Sequence, residues 1–213
     1  MELELRVDPR KSTLIKVDAQ NDFCRNEPGF TLYERSRILG PPYDMSPIAE
    51  AADNHLQPFV NRAIQSGAFF VKVHSTYEKG QFADLRELGL ELCIEGTPGW
   101  ESYLSTPKLQ DGQSIIIPKT DYGISEEHLR ILLGFLQQKG IENALVTGFT
   151  TDRCVSKVVA NLLEIYDGRI IVLPNCVAAD AYKENVHKEK IQEFQEHPRI
   201  RVIDSRKVQF TNS

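Results

Sequence analysis

A chain of 213 residues with 41% hydrophobic and 26% charged residues can bury one sizeable core, and residues 1–213 are expected to form a single domain. A formal net charge of −5 with no run of Lys and Arg argues against a nucleic-acid partner. The opening MELELRVDPRK has no apolar stretch of signal-peptide length, and no window reaches the roughly 18 apolar residues of a membrane span, so neither secretion nor a membrane is indicated and a cytoplasmic protein is expected.

Taken in chain order, short runs rich in Val and Ile predict strands at 13–17, 68–73, 114–117, 143–147, 169–173 and 201–203. Each is nearly continuous in apolar character, the pattern of strands buried on both faces. Helical segments separate them. Ser46 is expected to cap a helix with Pro47 at its first position and Pro58 as an interruption. Ser125 is expected to cap another, with Glu126 and Glu127 in its first turn, an end at Lys139-Gly140, and Leu129, Leu132, Leu133 and Leu136 on one face. Strand–helix alternation implies right-handed crossovers. The fold class is therefore α/β, a three-layer α/β/α arrangement around a six-stranded, mostly parallel, Rossmann-like sheet.

Sites in such sheets lie outside the carboxyl ends of the strands, so the residues that end the strands matter most. These are Asp18 after the first strand, His74 after the second, Lys119 after the third, and Gly148 after the fourth, with Cys154 six residues on. Asp18 and Lys119 each follow a buried run, and each is accounted for if they pair. Thr151 or Asp152 can cap the helix that follows, which puts Cys154 in its first turn. A helix N-terminus is expected to lower the thiol pKa, and its free N–H groups can cradle an oxyanion. The other cysteines are Cys24, Cys93 and Cys176; with no C-x-x-C pair they indicate neither a disulfide framework nor a zinc site.

Four motifs then resemble one family. Asp18-Ala19-Gln20-Asn21-Asp22-Phe23, Gly96-Thr97-Pro98-Gly99, Lys119-Thr120-Asp121-Tyr122-Gly123 and the segment from Gly148 to Val155 stand in the order found in the isochorismatase-like cysteine hydrolases. These include nicotinamidases, N-carbamoylsarcosine amidases and ureidoacrylate amidohydrolases, and the resemblance spans roughly residues 12 to 180. It implies hydrolysis of a small-molecule amide, ureide or carbamoyl C–N bond. Asp18 would be the general base, Cys154 the nucleophile that becomes acylated, and Lys119 the stabilising cation. The backbone N–H groups of Thr150 and Cys154 would form the oxyanion hole, with a cis Phe149–Thr150 peptide. It also implies a homo-oligomer, a dimer or tetramer.

Phe23, His74, Trp100, Tyr122 and Arg153 are candidate substrate-binding residues. Arg153 either grips a substrate carboxylate or faces solvent or a neighbouring subunit. Nicotinamidases hold a metal through Asp-x-His after the second strand. Here that stretch reads Val73-His74-Ser75-Thr76-Tyr77-Glu78, so no metal and no cofactor are expected. Two other readings are an ether-cleaving isochorismatase, which has no need of the cysteine, and a catalytically silent binding domain of the same fold. The resemblance implies the sheet order 3-2-1-4-5-6, which leaves Lys119 about 10 Å from Asp18's strand; order 2-1-3-4-5-6 would close that gap.

Overall fold

The computed structural model describes residues 4–40 and 44–211. Residues 41–43 therefore lie outside the described residues, as does the very start of the chain. The elements run β1 (Leu5–Val7), β2 (Ser12–Val17), α1 (Asn21–Cys24), α2 (Thr31–Leu39), α3 (Ser46–Ala51), α4 (Gln57–Gln65), β3 (Phe69–Ser75), α5 (Ala83–Glu87), β4 (Ser114–Lys119), α6 (Glu126–Gln138), β5 (Asn143–Phe149), α7 (Ser156–Ile165), β6 (Arg169–Ala178), α8 (Glu184–Glu196), β7 (Ile200–Val202) and β8 (Val208–Phe210).

Six strands form one sheet in the order β4-β3-β2-β5-β6-β7. Every pairing is parallel. This is the order 3-2-1-4-5-6 of the six expected strands; the alternative order is not observed. The period of two divides each strand between two cores. Leu14, Phe70 and Leu145 pack with Ile48 of α3 and Phe59 and Val60 of α4. Ile15, Val17, Val71 and Val73 pack on the other face with Leu132 of α6, Val158 and Leu162 of α7, and Phe194 of α8. Helices thus cover both faces of the sheet. No described helix is long and apolar enough to cross a membrane.

Several local expectations change. Ser46 is the first residue of α3 rather than its cap; Asp44 Oδ1 receives the Ser46 N–H at 2.9 Å and the Ser46 hydroxyl at 2.6 Å. Pro58 does not break the chain's course. Between α3 and α4 the backbone widens into a π-turn, Ala52–Leu56, and Pro58 falls in the first turn of α4, where a missing N–H is tolerated. On α6 the Ser125 cap holds, its side chain accepting from His128 N–H, but Phe135 joins the buried face and Leu133 is only half-buried. The three-residue strands β1 and β8, which pair in a separate two-stranded sheet, are too short to show as apolar runs.

One glycine fixes how closely two strand ends approach. Gly148 has φ of 112°, and a Cβ there would lie 1.8 Å from the Val17 carbonyl oxygen. Only glycine lets the end of β5 press against β2 one residue before Asp18.

Candidate active site

The strand ends bring three groups together. Asp18, with φ of 46°, directly follows β2, and its N–H is held by the Val73 carbonyl at 3.0 Å. Lys119 ends β4, two strands away, where it pairs in register with Ser75 at the end of β3. Its stem crosses over that short serine side chain, and its Nζ reaches Asp18 Oδ2 at 2.8 Å, with both side chains fully buried. The gap left by the sheet order is therefore closed by the length of lysine and the smallness of serine. Lys119 Nζ also donates to Ser75 Oγ at 2.7 Å and to the Asp121 carbonyl at 2.9 Å. An ammonium has three protons, and these three short contacts use them. Cys154 Sγ, at 3.5 Å, and the Tyr77 hydroxyl, at 3.3 Å, are the looser neighbours of the same nitrogen.

Cys154 lies in a five-residue π-turn, Thr151–Val155, that leads into α7. Thr150, not Thr151 or Asp152, occupies the capping position. Its carbonyl takes the N–H groups of Arg153 at 3.3 Å and Val155 at 3.1 Å. The Phe149–Thr150 peptide is cis, as the resemblance implies.

The electrostatics differ from the expected thiolate. Burial pushes the Cys154 thiol up to about 12; the Asp18 charge acts the same way, and Lys119 only partly opposes them. Resting Cys154 is a thiol with a carboxylate beside it. For Lys119, burial works to lower the pKa, but the effects led by the Asp18 charge outweigh it and hold the ammonium above its usual value. Tyr77 is raised chiefly by burial, so it remains a neutral phenol.

Cys154 and Tyr77 line a cavity of about 250 Å³, whereas Asp18 and Lys119 are fully buried and do not line it. Of the expected substrate-binding residues, Phe23, Tyr122 and Arg153 line it together with Thr150 and Cys154. The Arg153 guanidinium lies 5.5 Å from the Tyr122 ring centre, and its Nε is 3.7 Å from Asp152. His74 and Trp100 do not line the cavity. Strand alternation turns His74 to the opposite face of β3 from Ser75, where its ring meets Trp100 edge-on at 4.8 Å. Burial, with Lys72 and Lys16 nearby, lowers the His74 pKa to about 3, so it is a neutral core residue. Trp100 donates its indole N–H to Thr76 Oγ1 at 2.9 Å.

Sequence reasoning missed Ser75 and Tyr77, which cradle the lysine. It also missed Arg35, Asp84, Asp180 and Lys183, which charge the cavity wall, and Leu32, Phe82, Leu85 and Leu92, which make it apolar. The only signal for the first pair was their position just after a strand end.

The rest of the Asp18 motif is structural. Gln20 accepts the Ser75 N–H and donates to the Ser75 and Trp100 carbonyls, each at 2.9 Å. Asn21 donates to the Pro98 carbonyl at 2.7 Å. Asp22 accepts the N–H groups of Thr31 at 2.9 Å and Cys93 at 2.7 Å. The motif thus ties α2 and the Gly-Thr-Pro-Gly loop to the end of β2. Gly99 must lack a side chain because a Cβ there would lie 2.3 Å from the Asp22 carboxylate.

The Isochorismatase domain matches residues 12–206. The chain belongs to the isochorismatase domain family. Among solved structures it is similar to the pyrazinamidase of Pyrococcus horikoshii in complex with zinc, at 21% identity and a TM-score of 0.67, over 91% of this chain and 99% of that one. It is also similar to a nicotinamidase from Bacillus subtilis, at 20% identity and a TM-score of 0.66, covering 91% and 99%. The N-carbamoylsarcosine amidase of Thermoplasma acidophilum follows at 21% identity and a TM-score of 0.60, covering 92% and 96%. No curated protein sequence matches the chain.

A zinc ion like that named for the Pyrococcus protein does not fit the residues here. Among the described residues no three His, Cys, Asp or Glu side chains converge on a point. The histidine after β3 is buried beside Trp100, with two lysines near enough to disfavour a cation.

Proposed function

We propose that this family member hydrolyses a C–N bond in a small amide, ureide or carbamoyl compound through a thioester on Cys154. The observation that carries the reading is the convergence of Asp18 and Lys119 on Cys154, the one of the three that lines the cavity, with Lys119 2.8 Å from the carboxylate and 3.5 Å from the sulfur.

The chemistry follows from the charges. A thiol with a pKa near 12 is a poor nucleophile at neutral pH, so attack requires a base at hand, and the neighbouring Asp18 carboxylate is that base. Moving the proton from sulfur to Asp18 changes no net charge, and Lys119 stabilises the anion in either place. As sulfur bonds to the carbonyl carbon, the oxygen becomes an oxyanion, received by the N–H groups of Thr150 and Cys154. Collapse expels the amine, which takes the proton from Asp18 and leaves the thioester. Water then attacks the thioester while Asp18 accepts its proton. Release of the acid returns the sulfur and the proton to the resting state.

Phe23 and Tyr122 supply an apolar wall for the substrate, and Arg153 supplies a cation at the wall that a substrate carboxylate can pair with. Ammonia release should be measured against nicotinamide, ureidoacrylate, N-carbamoyl amino acids, biuret and maleamate. At least one is expected to turn over, with carboxylate-bearing compounds ahead of nicotinamide. If none is cleaved, and an enol ether such as isochorismate is, the amidohydrolase reading fails.

A further inference from the structure

The turn that carries Cys154 is gripped by α8 and by the residue just before it. Thr151, the first residue of that turn, is fully buried, and its Oγ1 lies 2.9 Å from Nδ1 of His187 on α8. The next residue, Asp152, takes the Lys183 ammonium at 2.6 Å. We propose that His187 is a positioning residue, whose imidazole accepts the Thr151 hydroxyl and so fixes the turn that presents Cys154. This rests on Cys154 being the nucleophile.

Among the described residues the Thr151 hydroxyl has no partner other than His187. A buried hydroxyl keeps its proton bonded if it can, so it donates to the ring, and Nδ1 must carry a lone pair. His187 does not line the cavity that holds Cys154; it opens on a separate depression beside Pro47 and Asp180. Its direct contact with the nucleophile turn is the one to Thr151.

The arrangement is sensitive to pH. Burial lowers the His187 pKa; Lys188 acts the same way, and Glu184 on its own helix and Asp152 on the nucleophile turn oppose it. Neutral imidazole accepts the hydroxyl. Imidazolium has no lone pair at Nδ1 and must donate instead, leaving the Thr151 hydroxyl proton without an acceptor. Acid is thus expected to loosen the turn while the cavity wall stays as it is, so kcat falls and KM does not follow.

The test uses the full chain and whichever amide of the panel it cleaves, from pH 5 to 8. His187→Leu is expected to lower kcat about tenfold with KM changed less than about twofold, the scale of one buried hydrogen bond. Thr151→Val should lose as much, and the double variant no more than either alone. His187→Asn offers an acceptor near the Nδ1 position and does not titrate. It is expected to keep most of kcat and to lose the part of the acid limb that His187 contributes below pH 6.5. Wild-type kcat in His187→Leu, additive losses in the double variant, or an unchanged acid limb in His187→Asn would each overturn the proposal. Cys154→Ala separates the two ideas. If it stays active, the nucleophile is wrong and this inference falls with it; if it is inactive and His187→Leu is unimpaired, only this inference falls.

Discussion

Cys154→Ala is expected to lower kcat by about four orders of magnitude or more, because residues that act as one catalytic unit lose most of their joint effect when any one is removed. The fold should survive, since the side chain is small and its loss leaves a gap of one sulfur atom beside an existing cavity. Asp18→Asn should be nearly as damaging to kcat, because an amide cannot take the thiol proton. It carries a second cost that Cys154→Ala does not. The Lys119 ammonium is fully buried 2.8 Å from Asp18, and without the carboxylate it has no counter-charge there. Breaking a buried pair on one side costs about 3–5 kcal/mol. Denaturant melts should therefore show Asp18→Asn clearly less stable than wild type, and Cys154→Ala close to it. Equal stability for Asp18→Asn would mean that the ion pair does not hold the two strand ends together.

The second large effect lies in the other core. Lys16, on β2, is 1% exposed, and among the described residues its Nζ has only Ser102 Oγ at 3.5 Å and the Phe70 ring at 5.8 Å. Burial, with Lys72 adding to it, lowers its pKa to about 8 from 10.5. That difference corresponds to roughly 3 kcal/mol against the folded state when the group is charged. The folded value is the lower one, so between pH 8 and 10.5 the unfolded chain binds more protons and stability rises with pH. Below 8 both states hold the proton and the full cost is present; above 10.5 neither does and the cost is gone. Lys16→Met keeps the stem and removes the charge. It is expected to be more stable than wild type by about 2–3 kcal/mol at pH 7, with the gap closing towards pH 10.5. The comparison is made as a difference between the two proteins, so other groups that titrate at high pH cancel. A Lys16→Met protein no more stable at pH 7 would contradict this account of the lysine.

What could be read from the sequence followed from what periodicity and strand ends encode. The six strands show as apolar runs because both faces of the sheet are covered, and Asp18, Lys119 and Cys154 stand out because polar groups directly after such runs need a reason to be there. The order of the strands is not local information, and only the structure shows Lys119 crossing over Ser75. Lys16 went unnoticed because one lysine in an apolar run reads as a long side chain that escapes to solvent, and the escape is blocked here by tertiary packing. His74 is expected near the pocket because it ends a strand, but which face a side chain takes depends on register, and register turns it to the opposite face, where it meets Trp100 from the Gly-Thr-Pro-Gly loop. The thiol's pKa ran opposite to the helix-terminus argument because burial and an adjacent carboxylate outweigh the partial charge of one turn. Leu32, Asp180 and Lys183 come from segments with no pattern of their own, joined at the cavity only by the fold.

The central claim is a covalent intermediate on Cys154, and trapping it is the most direct measurement. Wild-type protein quenched in acid during steady-state turnover of a slow amide should gain the mass of one acyl group. Peptide mapping should place that mass on the segment containing Cys154, and hydroxylamine should remove it, as expected of a thioester. Cys24, Cys93 and Cys176 should remain unmodified. Continued turnover with no adduct, an adduct at another residue, or near-normal turnover by Cys154→Ala would contradict covalent catalysis and leave direct, ether-cleaving hydrolysis as the reading of this site.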